Sequence, residues 1–84
     1  MAKLVTAKEI VSRRLWEAVE KIFEAIDTVR SEIPQEEFIA NIEGQATDLL
    51  ASIIIASSSR ADSITEIIVD LENKKIIAKL EEGE

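Results

Sequence analysis

The sequence predicts an α+β fold in which an antiparallel helical hairpin of two long helices is followed by a C-terminal β-hairpin. Residues 6–31 and 34–57 repeat apolar side chains at steps of three and four, which is typical of amphipathic helices. Pro34 separates these two segments. From residue 65 to residue 81, apolar side chains occupy alternate positions, as they do in half-buried strands.

Length and composition restrict how such a fold is stabilised. The chain has 84 residues, 46% of them hydrophobic, so residues 1–84 should form one small domain and not a disordered segment. It contains no cysteine or histidine, which excludes disulfides and the common structural zinc sites. We therefore expect a homo-oligomer, a dimer or a higher assembly, in which association supplies the missing stability.

The charge and the apolar runs bear on partners and localisation. A net charge of −7 argues against nucleic acid as a partner, because an acidic surface repels phosphates. The apolar runs are far shorter than the ~20 residues that span a bilayer, and no signal peptide is recognisable. We expect a cytoplasmic protein without a membrane partner. The wealth of isoleucine, lysine and glutamate is a thermophilic bias.

The first helix is predicted over residues 6–31. Thr6 and Glu9 have the spacing of a capping box, which would begin the helix. The main apolar stripe comprises Val11, Leu15, Ala18, Ile22, Ala25 and Val29. A second stripe beside it comprises Trp16, Val19, Phe23 and Ile26. Because the combined face is wider than one partner helix covers, we expect this helix to contact two elements.

The second helix is predicted over residues 34–57. Pro34 ends the first helix and suits the first turn of the next, so the link is short and the helices must be antiparallel. The main stripe, expected to face the first helix, comprises Ile39, Ile42, Ala46, Leu49, Ile53 and Ala56. Gly44 predicts a close crossing or a bend, because glycine inside a helix costs about 1 kcal/mol relative to alanine.

A serine-rich loop is predicted at residues 57–63, and the β-hairpin follows at about 65–81. A two-residue turn at 73–74 would produce four cross-strand pairs: Glu72 with Lys75, Leu71 with Ile76, Val69 with Ala78, and Ile67 with Leu80. A two-stranded hairpin is marginal in water, so we expect the hairpin of a second subunit to complete a four-stranded sheet. Residues 82–84 should fray.

The alternative is an all-α bundle of three or four helices. Ser63 and Glu66 have the spacing of a second capping box, which could begin a third helix. The run from SEIP through GQATDLLASIIIA also resembles the middle of small four-helix-bundle accessory proteins, which continue with another helix. Those proteins are typically basic, however, and this chain continues with strand-like alternation.

Function is predicted first as a non-enzymatic, self-associating interaction or scaffold module that also accommodates a protein partner. It would act through apolar helix faces and hairpin edges. The interface candidates are Trp16, Phe23, Leu50, Ile54, Ile55, Ile68 and Ile77. No catalytic, cofactor-binding or metal-binding residue is assigned.

Two other hypotheses use charged residues. A regulatory protein associated with nucleic acid would use the basic candidates Arg13, Arg14, Lys74 and Lys75. A carboxylate-based enzyme or metal binder would use Glu17, Glu20 or Glu43, although ordinary solvated helix faces explain these glutamates equally well.

Overall fold

The computed structural model describes residues 2–81. It has an α+β arrangement of a 20-residue helix, a 23-residue helix and a three-stranded antiparallel sheet with strand order β1-β3-β2. The elements are β1 (Ala2–Thr6), α1 (Arg13–Glu32), α2 (Gln35–Ser57), β2 (Ile64–Asp70) and β3 (Lys75–Glu81). Short 3₁₀ turns at Ala7–Glu9 and Ala61–Ser63 precede α1 and β2.

This arrangement corrects the predicted fold. The prediction of a two-stranded hairpin completed by a second subunit is wrong, because the chain's own N-terminal strand β1 pairs with β3. The all-α alternative is also wrong, since β2 and β3 occupy the ambiguous C-terminal segment. Five residues are too few to show a clear period-two pattern, so β1 has only a weak sequence signal. The predicted fraying of residues 82–84 lies outside the described residues.

The start of α1 differs from the prediction because two capping signals compete. Glu9 does accept hydrogen bonds from the Thr6 amide (3.2 Å) and hydroxyl (2.9 Å), but these bonds close only one 3₁₀ turn. The helix begins seven residues later, where the Ser12 hydroxyl accepts from the Leu15 amide at 3.1 Å. The intervening turn is held to the end of α2, because the Ser59 amide donates to the Ile10 carbonyl.

The β2–β3 register is shifted by two residues from the predicted one. Asp70 pairs with Lys75, so the turn contains residues 71–74 and not 73–74 alone. The Asp70 carboxylate accepts from the Asn73 amide at 3.1 Å and from its side chain at 2.8 Å, which stabilises the longer turn. Lys74 has a positive φ of 57°. The shift is even, so it leaves each side chain on its predicted face.

The core lies between one face of the sheet and the two helices. Its largest fully buried side chains are Val19, Phe23, Leu50, Ile54, Ile76 and Leu80. On α1 these come from the second stripe and not from the main one. The stripe with the most regular spacing is therefore not the one that is most deeply buried.

A π-helical segment at Ile39–Glu43 explains the buried face of α2. In an uninterrupted α-helix Phe38 and Leu50 would point about 120° apart, because each residue turns the helix by about 100°. The wide π turn absorbs one residue, so both side chains reach the same core, with 2% and 0% exposure. A Cβ on Gly44, at the end of this segment, would meet nothing within 4 Å, so the predicted close crossing is absent there.

Candidate interaction surfaces

The first candidate surface is the line of residues that the sequence marks as the main stripe of α1. We name it the α1 flank and define it as Leu15, Ala18, Ile22, Ala25 and Val29. Leu15 and Ile22 are half-buried, Ala18 and Ala25 are exposed, and Val29 keeps 39% of its surface accessible. Steps of three and four residues are those of a coiled-coil seam, and the alanines would let another backbone approach closely.

A corresponding line lies on α2. We name it the α2 flank and define it as Leu49, Ile53 and Ala56. Leu49 is 54% exposed, Ile53 is half-buried and Ala56 is exposed. These residues were expected to pack against α1. The one-residue phase change in the π segment instead turns Leu50 and Ile54 into the core and leaves the flank beside it.

The overall dimensions agree with this excess of exposed surface. The accessible surface is 5708 Å², whereas a compact monomer of this mass exposes about 5,000 Å². The radius of gyration is 13.6 Å, against about 12 Å for a compact domain of this length. A single copy thus exposes more surface to water than a compact domain of its size.

The second candidate surface is a groove between α2 and the sheet edge. We name it the β2 groove; among its lining residues are Arg30, Phe38, Ile39, Glu43, Ile68 and Glu72. Its volume is about 630 Å³, and the π segment forms part of its wall. Ile39 and Ile68 are 52% and 48% exposed, so apolar surface faces the opening.

Arg30 is positioned in this groove by an aromatic contact. Its guanidinium carbon lies 5.4 Å from the centre of the Phe38 ring, a distance at which cation and ring attract each other. Its Nε is buried and has no hydrogen-bond partner within the described part of the chain. One unpaired donor therefore lies buried beside the apolar wall of the groove.

The seven predicted interface residues fall into three environments. Phe23, Leu50 and Ile54 are buried in the protomer's own core, so they stabilise the fold and cannot contact a partner. Ile55 and Ile68 are exposed. Trp16 and Ile77 are half-buried. The residues that sequence reasoning assigned to an internal helix contact, and so did not treat as interface candidates, are those of the two flanks.

The four basic candidates do not form one patch. Arg13 lies 3.7 Å from Glu17, and Lys74 lies 2.8 Å from Asp27. Because Asp27 is thirteen residues beyond Arg14 on α1, the two basic pairs are separated by roughly 20 Å along the helix. Each pair is therefore a small local feature on an acidic protein.

The hairpin turn is held to α1 by the ion pair of Asp27 and Lys74. The hydrogen bond from Lys74 lowers the pKa of Asp27, and the same contact raises the pKa of Lys74. In the turn itself, hydrogen bonds from Asn73 lower the pKa of Asp70. These carboxylates are therefore charged at neutral pH and act as structural acceptors.

The carboxylates considered for metal binding are dispersed. Within residues 2–81, no group of three or more aspartate or glutamate side chains could hold a metal ion. Glu20 accepts a hydrogen bond from the Trp16 indole at 3.1 Å, and Glu17 is near Arg13. Glu43 lines the β2 groove and belongs to no such group within the described residues.

Helix α2 also has the length and apolar composition of a membrane-crossing helix. Mostly buried core helices of soluble proteins meet the same criterion; in α2, Ala46, Leu50 and Ile54 are buried in the core, but only 22% of the apolar window is buried. Comparison with known protein families, with curated proteins and with solved structures finds no match to this chain.

Proposed function

We propose that the protein is a small non-enzymatic interaction module that self-associates through its helix flanks. The observation that carries the proposal is the regular apolar line on α1 that the protomer's core covers only in part. Covering such a line removes apolar surface from water, which stabilises the associated state by about 25 cal/mol per Å² before the costs of association.

Charge supports a second copy of the chain as the occupant. Lys21 and Glu24 are both exposed; Lys21 is adjacent to the α1 flank, and Glu24 lies further round the helix on the same side. Two antiparallel copies of α1, centred between Ile22 and Ala25, would bring Lys21 of each copy towards Glu24 of the other. The pairing would therefore be complementary despite the net negative charge of the whole protein.

Light scattering after size-exclusion chromatography tests the proposal with two matched variants. Leu49→Glu places a carboxylate on the α2 flank, and Ser52→Glu places the same group on an exposed polar position of the same helix. Leu49→Glu should shift the protein to the mass of one chain, whereas Ser52→Glu should keep the mass of the associated wild type. Equal masses for all three proteins would contradict the proposal.

A further inference from the structure

The two edges of the sheet differ in how they are protected. Among residues 2–81, no strand pairs with the outer side of either β1 or β2. On β1, Lys3 is opposite Leu80, so a lysine lies on the core-side face of that edge. An inward lysine is a common protection against strand addition. The centre of β2 is Ile67, Ile68 and Val69, without any charge.

The β2 groove lies along this unprotected edge and has a charge of its own. Glu43, Asp70 and Glu72 line it, against the single cation Arg30. A second copy of the chain would bring another acidic edge to the same place. A segment with positive charges would instead find complementary charge, apolar surface on Ile39 and Ile68, and free backbone groups of an edge strand.

We propose that the β2 groove binds an extended segment of a partner protein in which apolar residues alternate with lysine or arginine. The segment adds to the sheet as a fourth strand beside β2. Its backbone bonds to the open edge. Because side chains alternate between the two faces of a strand, its apolar side chains lie beside Ile68 on the face away from the helices, and its cations point to the helix side, towards Glu43 and Glu72. Strand addition of this kind derives affinity from main-chain bonds and specificity from alternate side chains.

This site is separate from the self-association surface. On α2, Gly44 and Thr47 line the groove, whereas Leu49 and Ile53 lie on the opposite side of the buried Leu50. A change in one surface therefore need not alter the other. The inference goes beyond the proposed self-association and stands without it.

The probe is a labelled peptide of alternating valine and lysine, as long as β2. Fluorescence anisotropy gives its affinity, and backbone amide shifts locate its contacts. We expect the shifts at Ile67–Asp70 and along Ile39–Gly44. There are three control peptides. The first has the same valines and lysines arranged in two separate blocks, the second has the same sequence with N-methylated backbone nitrogens, and the third has glutamate in place of lysine. Each should bind more weakly than the alternating peptide.

Protein variants provide the matched comparison. Glu72→Lys should weaken binding by about tenfold, because it replaces an attractive charge with a repulsive one. Asp62→Lys makes the same charge change outside the groove and should have little effect. Ile68→Lys should likewise weaken binding, whereas Leu4→Lys, at an exposed position of β1, should not.

Three results would overturn the proposal: no shifts along β2, equal affinity for the block or N-methylated peptides, or equal effects of Glu72→Lys and Asp62→Lys. Equal affinity for the control peptides, or equal effects of the two charge changes, would indicate unspecific charge attraction between peptide and protein. Repeating the titration with Leu49→Glu separates the two proposals, because that variant should lose self-association and keep peptide binding.

Discussion

The two apolar stripes of α1 belong to one helix but have different environments. Val19, Phe23 and Ile26 are buried against the sheet, whereas Ala25 and Val29 of the α1 flank remain exposed. The exposed stripe is the more regular one. Both stripes belong to the same helix, so helix propensity cannot explain why one is buried and the other exposed. The difference in burial depends only on which elements cover each stripe. Regular spacing thus identifies residues on one line but does not identify the element that covers them.

The largest expected effect comes from truncating the buried stripe. Phe23→Ala should lower the free energy of unfolding by about 3–5 kcal/mol, because it leaves a cavity in the core. Val29→Ala on the exposed stripe should cost less than about 1 kcal/mol at concentrations where the protein is dissociated. Urea denaturation followed by circular dichroism measures both. Similar losses for the two variants would contradict the difference between the stripes.

A charge reversal beside the exposed stripe should have the next largest effect. Lys21→Glu should weaken self-association about fivefold to tenfold, since it places two carboxylates near each other in the paired helices. Adding Glu24→Lys to the same chain should restore the association. Dissociation constants from sedimentation at low salt test this prediction, and failure of the second change to restore association would exclude the antiparallel pairing.

Deleting one residue from the π segment should have a smaller effect. Without Ala40, an uninterrupted α-helix would align Phe38, Leu50 and Ile54 on the core side. The free energy of unfolding should then stay within about 1 kcal/mol of the wild type, although a deletion inside a helix usually disrupts packing. Deleting Ala51, which lies outside the π segment, is the control and should be strongly destabilising. Equal losses would contradict the phase argument.

The smallest expected effect concerns the ion pair between the hairpin turn and α1. Asp27 has a lowered pKa, so its contribution to stability exists above its unfolded-state pKa and is lost as the pH falls through the folded-state value. Lys74 has a raised pKa, so its contribution is lost as the pH rises through its own folded-state value. The melting temperatures of the wild type and Asp27→Asn should therefore differ slightly and constantly between about pH 5 and about pH 9.

Below about pH 5 and above about pH 9, the difference in melting temperature between the wild type and Asp27→Asn should narrow. Asp48→Asn, an exposed position on α2, controls for the loss of one charge. A difference that widens towards acidic pH would contradict the assigned direction of the Asp27 pKa.

The sequence supports the existence of two amphipathic helices and of strands in the C-terminal segment, because periods of 3.6 and two are local properties. It does not predict β1, whose pairing with β3 is a contact between opposite ends of the chain. It also does not predict the π segment, which has no clear residue signature and changes which side chains of α2 face the core. Nor does it identify Ser12 as the cap of α1, because the Thr6 and Glu9 spacing predicts an earlier start of the helix.

The candidate surfaces could be predicted only in part. The flank residues were recognised as an apolar stripe, yet they were assigned to the contact between α1 and α2. The β2 groove depends on the sheet order and on the position of Phe38 relative to Ile68, neither of which follows from local patterns. Of the predicted interface residues, Ile68 alone lines this groove.

Sedimentation equilibrium of the wild-type protein at tens of micromolar tests the central claim most directly. The account predicts a mass of at least twice the 9.3 kDa of one chain, decreasing towards that value on dilution. A mass of one chain at every concentration would show that the flanks remain exposed to water and would contradict self-association.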